Sequence, residues 1–287
     1  MKSLMKKVFA AAAAIATVFG LAATTVATAN AADGATLTVS TADAKFVGKT
    51  VNAYKMFSAT VSGDGKAVSY TLTDEWKPFF KDGLGLTGVT DTNVNDKANE
   101  YVSELAGDNL VAFATKASNW AQTQAKNITA DKTATVSAGA TNGNYTATFT
   151  GLDYGYYVVA VPGATLANTS GQYATLVSVD STNVNANIKG SLPTVDKKVQ
   201  VNGNGADTAD AKIGDTLTFT LTSTIPDMSA YDTYTFNFKD TLSKGLTFGQ
   251  VTSVTVAGVT NPLTVDTDYT VTTPTASNNN TLTVDMK

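Results

Sequence analysis

The chain has 287 residues, a formal charge of −4, no histidine and no cysteine. Lacking cysteine, it can form neither a disulfide nor a thiolate metal site; lacking histidine, it has no imidazole base or ligand. A weakly acidic surface argues against nucleic acid as a partner, and no cofactor site is expected.

The N-terminus reads in three parts: basic "MKSLMKK", apolar "VFAAAAAIATVFGLAA", and small-residue "ATANA". This is the pattern of a secretory signal peptide over 1–31, cleaved after Ala31, so the mature chain is expected to be exported. No later run is long and apolar enough to span a bilayer. Thr, Val, Ala, Asn and Gly dominate the rest, which favours strands and turns.

A first domain is expected over 32–190. It opens with strand-like "ATLTVS" and "KTVNAYKMFSATV", a turn at "SGDG", and a third strand at "AVSYTLT". Helical spacing follows. "DEWKPFF" and "DKANEYVSEL" read as short helices. "DNLVAFATKASNWAQTQAK" places Leu110, Phe113, Ala114, Ala117, Trp120 and Ala121 on one face, with Asp108 or Asn109 as N-cap and a helix over 108–126. Strands resume at "KTATVSA", "YTATFTGL", "GYYVVAVP" and "QYATLVSVD". The expected fold class is mainly β: tandem immunoglobulin-like β-sandwiches, the first with a helical insertion.

Pro193 in "KGSLP" cannot donate to a central ladder and suits a boundary. A second β-domain is expected over 191–287, with strands at "TVDKKVQV", "GDTLTFTLTSTIP", "YTFNFKD", "VTSVTVAGV" and "NTLTVDMK", and incomplete at its C-terminus. Two of these carry an ionisable group on an apolar stripe. Val195, Lys197, Val199 and Val201 alternate to one face, as do Tyr234, Phe236, Phe238 and Asp240. A lone buried ammonium or carboxylate is costly and shifts toward its neutral form, and a neutral amine is a nucleophile. The plain alternative is a lysine that snorkels to water and an aspartate that caps the turn at "DTLS".

The residues resemble a backbone pilin of Gram-positive bacteria, the kind assembled by a class C sortase. "FTGLDYGYYVVAVP" is similar to the "GL-x-x-G-x-Y" hairpin near the end of the first pilin domain. "PTVDKKV…AKIGDTLTFTLTSTIPD…YTFNFKDTLSKGLTF" resembles the fimbrial D2-type domain that forms an internal isopeptide bond. "VNANIKGS" sits where the family has its pilin motif. The resemblance implies Lys197 as the attacking amine and Asp240 as the acid that promotes the bond. Lys198 is the register alternative, and the alternation of valines argues against it. The acceptor asparagine is expected beyond Lys287, because Asn278, Asn279 and Asn280 lie in a polar turn and Asn261 in "TNPL". Lys189 is implied as the lysine joined to the next subunit, although Ile188 stands before it in place of the family's Tyr-Pro. No "LPxTG" sorting signal is present, and "LPTVD" at 192–196 lacks the Thr-Gly pair. The implied partners are other copies of the pilin in a covalent homopolymer, a class C sortase, and host surface ligands. The implied location is a cell wall-anchored pilus.

Three functions compete. The first is a structural pilus subunit that also supports host adhesion, its only chemistry self-modification and joining to neighbours. The second is an adhesin or ancillary pilin that binds host glycans or extracellular matrix through the helical insertion at 75–127. The third is a secreted glycosidase, which needs two carboxylates at a defined separation. No acidic pair is singled out by spacing.

Overall fold

The computed structural model describes residues 34–61, 68–123, 128–139, 143–166, 173–201, 204–229, 231 and 233–287. The expected signal peptide and the turn at 62–65 lie outside the described residues. The chain is mainly β and divides into two compact units. One comprises the chain through Leu192 together with Pro226–Tyr231; the other comprises Pro193–Ile225 and Asp232–Lys287.

Among the described residues the first unit holds ten strands: β1 (Ala35–Thr41), β2 (Thr50–Val61), β3 (Val68–Leu72), β4 (Lys132–Thr135), β5 (Tyr145–Leu152), β6 (Gly155–Ala160), β7 (Thr165–Leu166), β8 (Ala174–Val179), β9 (Asn183–Asn187) and β10 (Gly190–Ser191). Five make one sheet in the order β3-β2-β6-β8, with β4 also on β2; β5-β1-β9 make a second, and β7 pairs with β10. Alternation explains β1. Ala35, Leu37 and Val39 are buried while Thr36, Thr38 and Ser40 are half-buried, the signature of one covered face. β6 is buried at all six positions, which requires cover on both faces. The helix α2 (Gly107–Gln122) lies against β6 and β8 on one side. One continuous core joins these strands to Leu37, Val39 and Phe149 of the smaller sheet.

The "GL-x-x-G-x-Y" stretch has a local physical basis. Gly151 takes φ +66°, a conformation in which an L side chain is strained. Leu152 and Tyr157 are buried, and the Tyr157 hydroxyl donates to Asp153 O at 2.9 Å, closing the β5–β6 turn on itself.

The helical insertion runs through a 3₁₀ turn at Asp74–Trp76, a π-helical turn at Phe79–Gly83, α1 (Val94–Ser103) and α2. Phe113, Ala114, Ala117 and Ala121 face the core as their spacing predicts, while Leu110 and Trp120 are only half-buried. Phe79 is the hub of the aromatic packing, with Trp76, Phe80, Phe113 and Trp120 all within 5.7 Å of its ring centroid. The N-cap is Ala106, not Asp108 or Asn109. Gly107 at φ +53° begins the helix one residue early, so Asp108 falls in the first turn, where its charge favours the positive end of the helix dipole.

The second unit holds β11 (Val195–Val201), β12 (Asn204–Ala206), β13 (Phe219–Ser223), β14 (Asn237–Thr241), β15 (Tyr269–Thr272) and β16 (Thr281–Met286). They form two three-stranded sheets, β12-β11-β13 and β14-β16-β15. The expected strand at 251–259 is absent. That segment instead folds back on itself, with Val259 N–H donating to Val256 O at 3.0 Å and Leu263 N–H to Val254 O at 2.8 Å. β15, which the alternation did not single out, pairs along β16 in its place. Burial is thin: Val199, Tyr269 and Val284 are the buried apolar residues described here, and Val195 is 60% exposed.

Candidate functional site

Lys197 lies mid-way along β11, opposite Leu221 of β13, and Asp240 lies on β14, opposite Leu282 of β16. Residues directly opposite in an antiparallel pair share a face. Val199 and Phe219 therefore share Lys197's face, and Phe238 and the buried Val284 share Asp240's. Both ionisable groups thus stand on the faces that carry the buried side chains of their sheets. Lys197 Nζ lies 2.7 and 2.8 Å from the two carboxylate oxygens of Asp240. Since β11 and β14 belong to different sheets, the contact is a side-chain bridge between them.

The surroundings differ from a sealed apolar core. The Lys197 side chain is 37% exposed and that of Asp240 is 16% exposed. Alternation correctly identifies the face, but the opposing sheet leaves that face partly open. Phe219 supplies what shielding there is, its ring centroid 4.6 Å from Lys197 Nζ, an arrangement that favours a cation. In the sequence Phe219 is legible only as an apolar residue of the strand-like stretch "GDTLTFTLTSTIP". Lys198 projects to the other face, opposite Thr220, and pairs with Asp207 at 2.5 Å.

Two of the asparagines weighed as acceptors are engaged in turns. Asn278 Oδ1 accepts from Thr275 N–H at 2.8 Å and Thr281 N–H at 3.1 Å, and its amide donates to Thr273 O at 2.9 Å. The Asn280 amide donates to Leu242 O at 2.9 Å. Asn261 is exposed in a bend.

Lys189 lies in the first unit between β9 and β10. It is exposed, yet both chain neighbours, Ile188 and Gly190, are buried. In the same unit Lys55 Nζ pairs with Asp153, fastening β2 to the β5–β6 turn, and its backbone N–H donates to Asp131 Oδ2, just before β4, at 2.6 Å. Among the described residues no group of His, Cys, Asp or Glu is arranged to hold a metal ion, and no helix is long and apolar enough to cross a membrane.

No protein-family model matches the chain, and no curated protein matches it in sequence. Solved structures similar to it include three pilins. One is the full-length major pilin SpaD from Corynebacterium diphtheriae, at 21% identity and TM-score 0.38 over 88% of this chain and 51% of that one. Another is the T6 backbone pilin of serotype M6 Streptococcus pyogenes, at 20% identity and TM-score 0.38 over 91% and 51%. The third is the fimbrial protein FimP from Actinomyces oris, at 18% identity and TM-score 0.38 over 90% and 51%. The chain spans about half the length of each.

Proposed function

We propose that this chain is a structural subunit of a covalently polymerised, cell wall-anchored surface pilus. On this reading it is exported, joined to further copies by a class C sortase, and presented to host surfaces as part of the shaft. Its domains are a pilin domain over 32–190 and an isopeptide-forming D2-type domain over 191–287. It has no turnover activity; its chemistry is self-modification.

The observation that carries the reading is the Lys197–Asp240 bridge. As an ordinary ion pair of this exposure it contributes about 0–1 kcal/mol to stability. As a reactive pair it has the required parts. The Lys197 amine, once deprotonated, attacks the side-chain carboxamide carbon of an asparagine. The new C–N bond forms, the old one breaks, and the nitrogen leaves as ammonia. Asp240 takes the proton from the amine and returns it to the leaving nitrogen, and its two oxygens already face Nζ. The hydrogen bonds that the Asn278 and Asn280 amides donate within turns support an acceptor elsewhere.

Lys189 supplies the intermolecular link. Its exposed amine attacks the thioester between the sortase cysteine and the threonine carbonyl of the next subunit. The C–S bond breaks, an amide forms, and the amine proton passes to the departing thiolate. Wall extracts from cells expressing the full-length protein test the reading. A ladder of high-mass polymers that resists boiling in detergent is expected, reduced to monomer in Lys189→Ala. Monomer alone in the wild type, or an unchanged ladder in the variant, overturns it.

A further inference from the structure

The segment Pro226–Tyr231 belongs to the first unit, although the chain on either side of it belongs to the second. Its described residues are tied by local hydrogen bonds: Asp227 Oδ1 accepts from Ser229 N–H at 3.0 Å and from its hydroxyl at 2.6 Å, and Tyr231 N–H donates to Met228 O at 2.9 Å. The Tyr231 side chain reaches both Tyr173 and Ala164. Its ring stacks on Tyr173, centroids 5.5 Å apart and planes 8° from parallel. Its hydroxyl donates to the carbonyl of Ala164.

Both contacts lead to Lys189. Tyr173 is fully buried, and its hydroxyl donates to Asn119 Oδ1 on α2 at 3.0 Å. It forms the floor under Gly190, where a Cβ would stand 2.8 Å from Tyr173 Cβ and 3.2 Å from Phe46 Cζ. Ala164 leads into β7, whose residues Thr165 and Leu166 pair with Ser191 and Gly190. The Thr165 hydroxyl also donates to Ser191 O at 3.4 Å. On the other side of the lysine, buried Ile188 donates its N–H to Ser40 O at 2.9 Å. The backbone is therefore held just before and just after Lys189 while the side chain projects outward. Tyr231 clasps the two supports of the later hold.

We infer that Tyr231 is a positioning residue for acylation of Lys189. This rests on the reading of Lys189 as the intersubunit nucleophile. A bulky acyl-enzyme must meet the amine in one orientation, and a misplacement of about 1 Å can cost on the order of 100-fold in rate. A small, freely diffusing reagent has no such requirement. The inference therefore separates two reactivities of the same amine that simple packing would move together.

The test uses the full-length mature protein, its cognate class C sortase and a Leu-Pro-x-Thr-Gly sorting peptide as acyl donor, with adducts located by peptide mapping. N-hydroxysuccinimide acetate serves as the small-reagent comparison. Tyr231→Ala is expected to slow peptide transfer to Lys189 by about 10-fold or more, while acetylation of Lys189 stays within about 2-fold of wild type. Tyr231→Phe keeps the ring stack and is expected to recover most of the transfer rate. Wild-type transfer in Tyr231→Ala overturns the inference. So does an equal loss of transfer and acetylation. Failure of the underlying reading looks different: Lys189→Ala would still accept the peptide at wild-type yield.

Discussion

The α-carbon of Gly155 faces the carbonyl oxygen of Phe57 so closely that a Cβ there would stand 2.2 Å from it. Phe57 lies within β2, which pairs with β3, β4 and β6, and Ala59 N–H donates to Tyr154 O at 3.0 Å just beyond the contact. The obstacle is backbone held by neighbours, so it cannot yield as a side chain would. Gly155→Ala is expected to destabilise the first unit by at least about 1–3 kcal/mol, the usual cost of overpacking. Gly151→Ala is expected to cost about 1–2 kcal/mol, because the position takes φ +66° in open space. Gly139→Ala, with nothing within 4 Å and no positive φ, is expected to change stability by no more than about 0.5 kcal/mol. Urea denaturation of the three variants checks the order.

Phe113 and Trp120 lie on the same face of α2 but differ in cover. Phe113 is buried against Phe79, Phe80 and Tyr101, whereas Trp120 is half-buried over Phe79 and Gly83. Phe113→Ala is expected to cost about 3–5 kcal/mol, and Trp120→Ala measurably less. Equal costs in urea denaturation would show that the indole carries as much of the packing as a sealed core residue.

These two residues illustrate what could be read in the chain. Periodicity shows which side a residue faces, so the alternation of β1 and the spacing in α2 were legible. How much lies on that side was not. Trp120 and Lys197 were placed on the correct faces but with too much cover, because cover comes from distant segments. The segment 251–259 fails for a related reason. Its valines alternate as a strand's do, yet a strand exists only where a partner ladder does, and β16 is taken by β14 and β15. Helix N-capping at Asp108 was misplaced by a single left-handed glycine. Tyr231 gave no signal. It stands among Ser, Asp and Thr in what reads as a turn, and its importance arises from Tyr173, fifty-eight residues earlier by sequence number.

Burial raises the hydroxyl pKa values of Tyr54, Tyr70, Tyr156 and Tyr157 above the ordinary tyrosine range. Hydrogen bonding of Tyr54 with Asn52, and of Tyr70 and Tyr156 with Ser178, offsets this in part. The sign follows. A group whose folded pKa lies above its unfolded value contributes stability that is fully present below the unfolded pKa, about 10 for tyrosine. That contribution is lost as pH rises toward the folded value. The first unit is therefore expected to hold its stability from neutral pH to about 9 and to lose it steeply above about 10. Phenolate absorbance from these four tyrosines should rise together with loss of tertiary structure rather than before it. Tyr156→Phe removes one of the groups and should make the alkaline slope of the urea midpoint shallower; an unchanged slope would show that this hydroxyl is already titrating in the folded protein.

The bridge between Lys197 and Asp240 yields the last prediction, and its value lies in a mass. Replacing a carboxamide nitrogen by a lysine nitrogen expels one ammonia, so each internal bond lowers the protein's mass by about 17 Da. The full-length mature protein is expected to show one such deficit from the second unit, with Lys197 inside a branched peptide after digestion. Lys197→Ala removes the nucleophile, and Asp240→Ala removes the carboxylate whose oxygens lie 2.7 and 2.8 Å from it. Each variant should regain the missing mass. Lys198→Ala should not, because that amine faces Asp207 across the other side of β11. The stability readout separates a covalent link from an ion pair. Loss of a pair with a 37% exposed lysine should cost no more than about 1 kcal/mol. Loss of a cross-link should cost about 2–4 kcal/mol, by analogy with a disulfide, because it frees the unfolded chain. A second unit that turns readily digestible by trypsin in both variants, with mass restored, is the expected pair of results. Restored mass without a change in digestion would mean that the bond forms but holds nothing together. An intact mass with no deficit in the full-length wild type would leave Lys197 and Asp240 as a surface salt bridge.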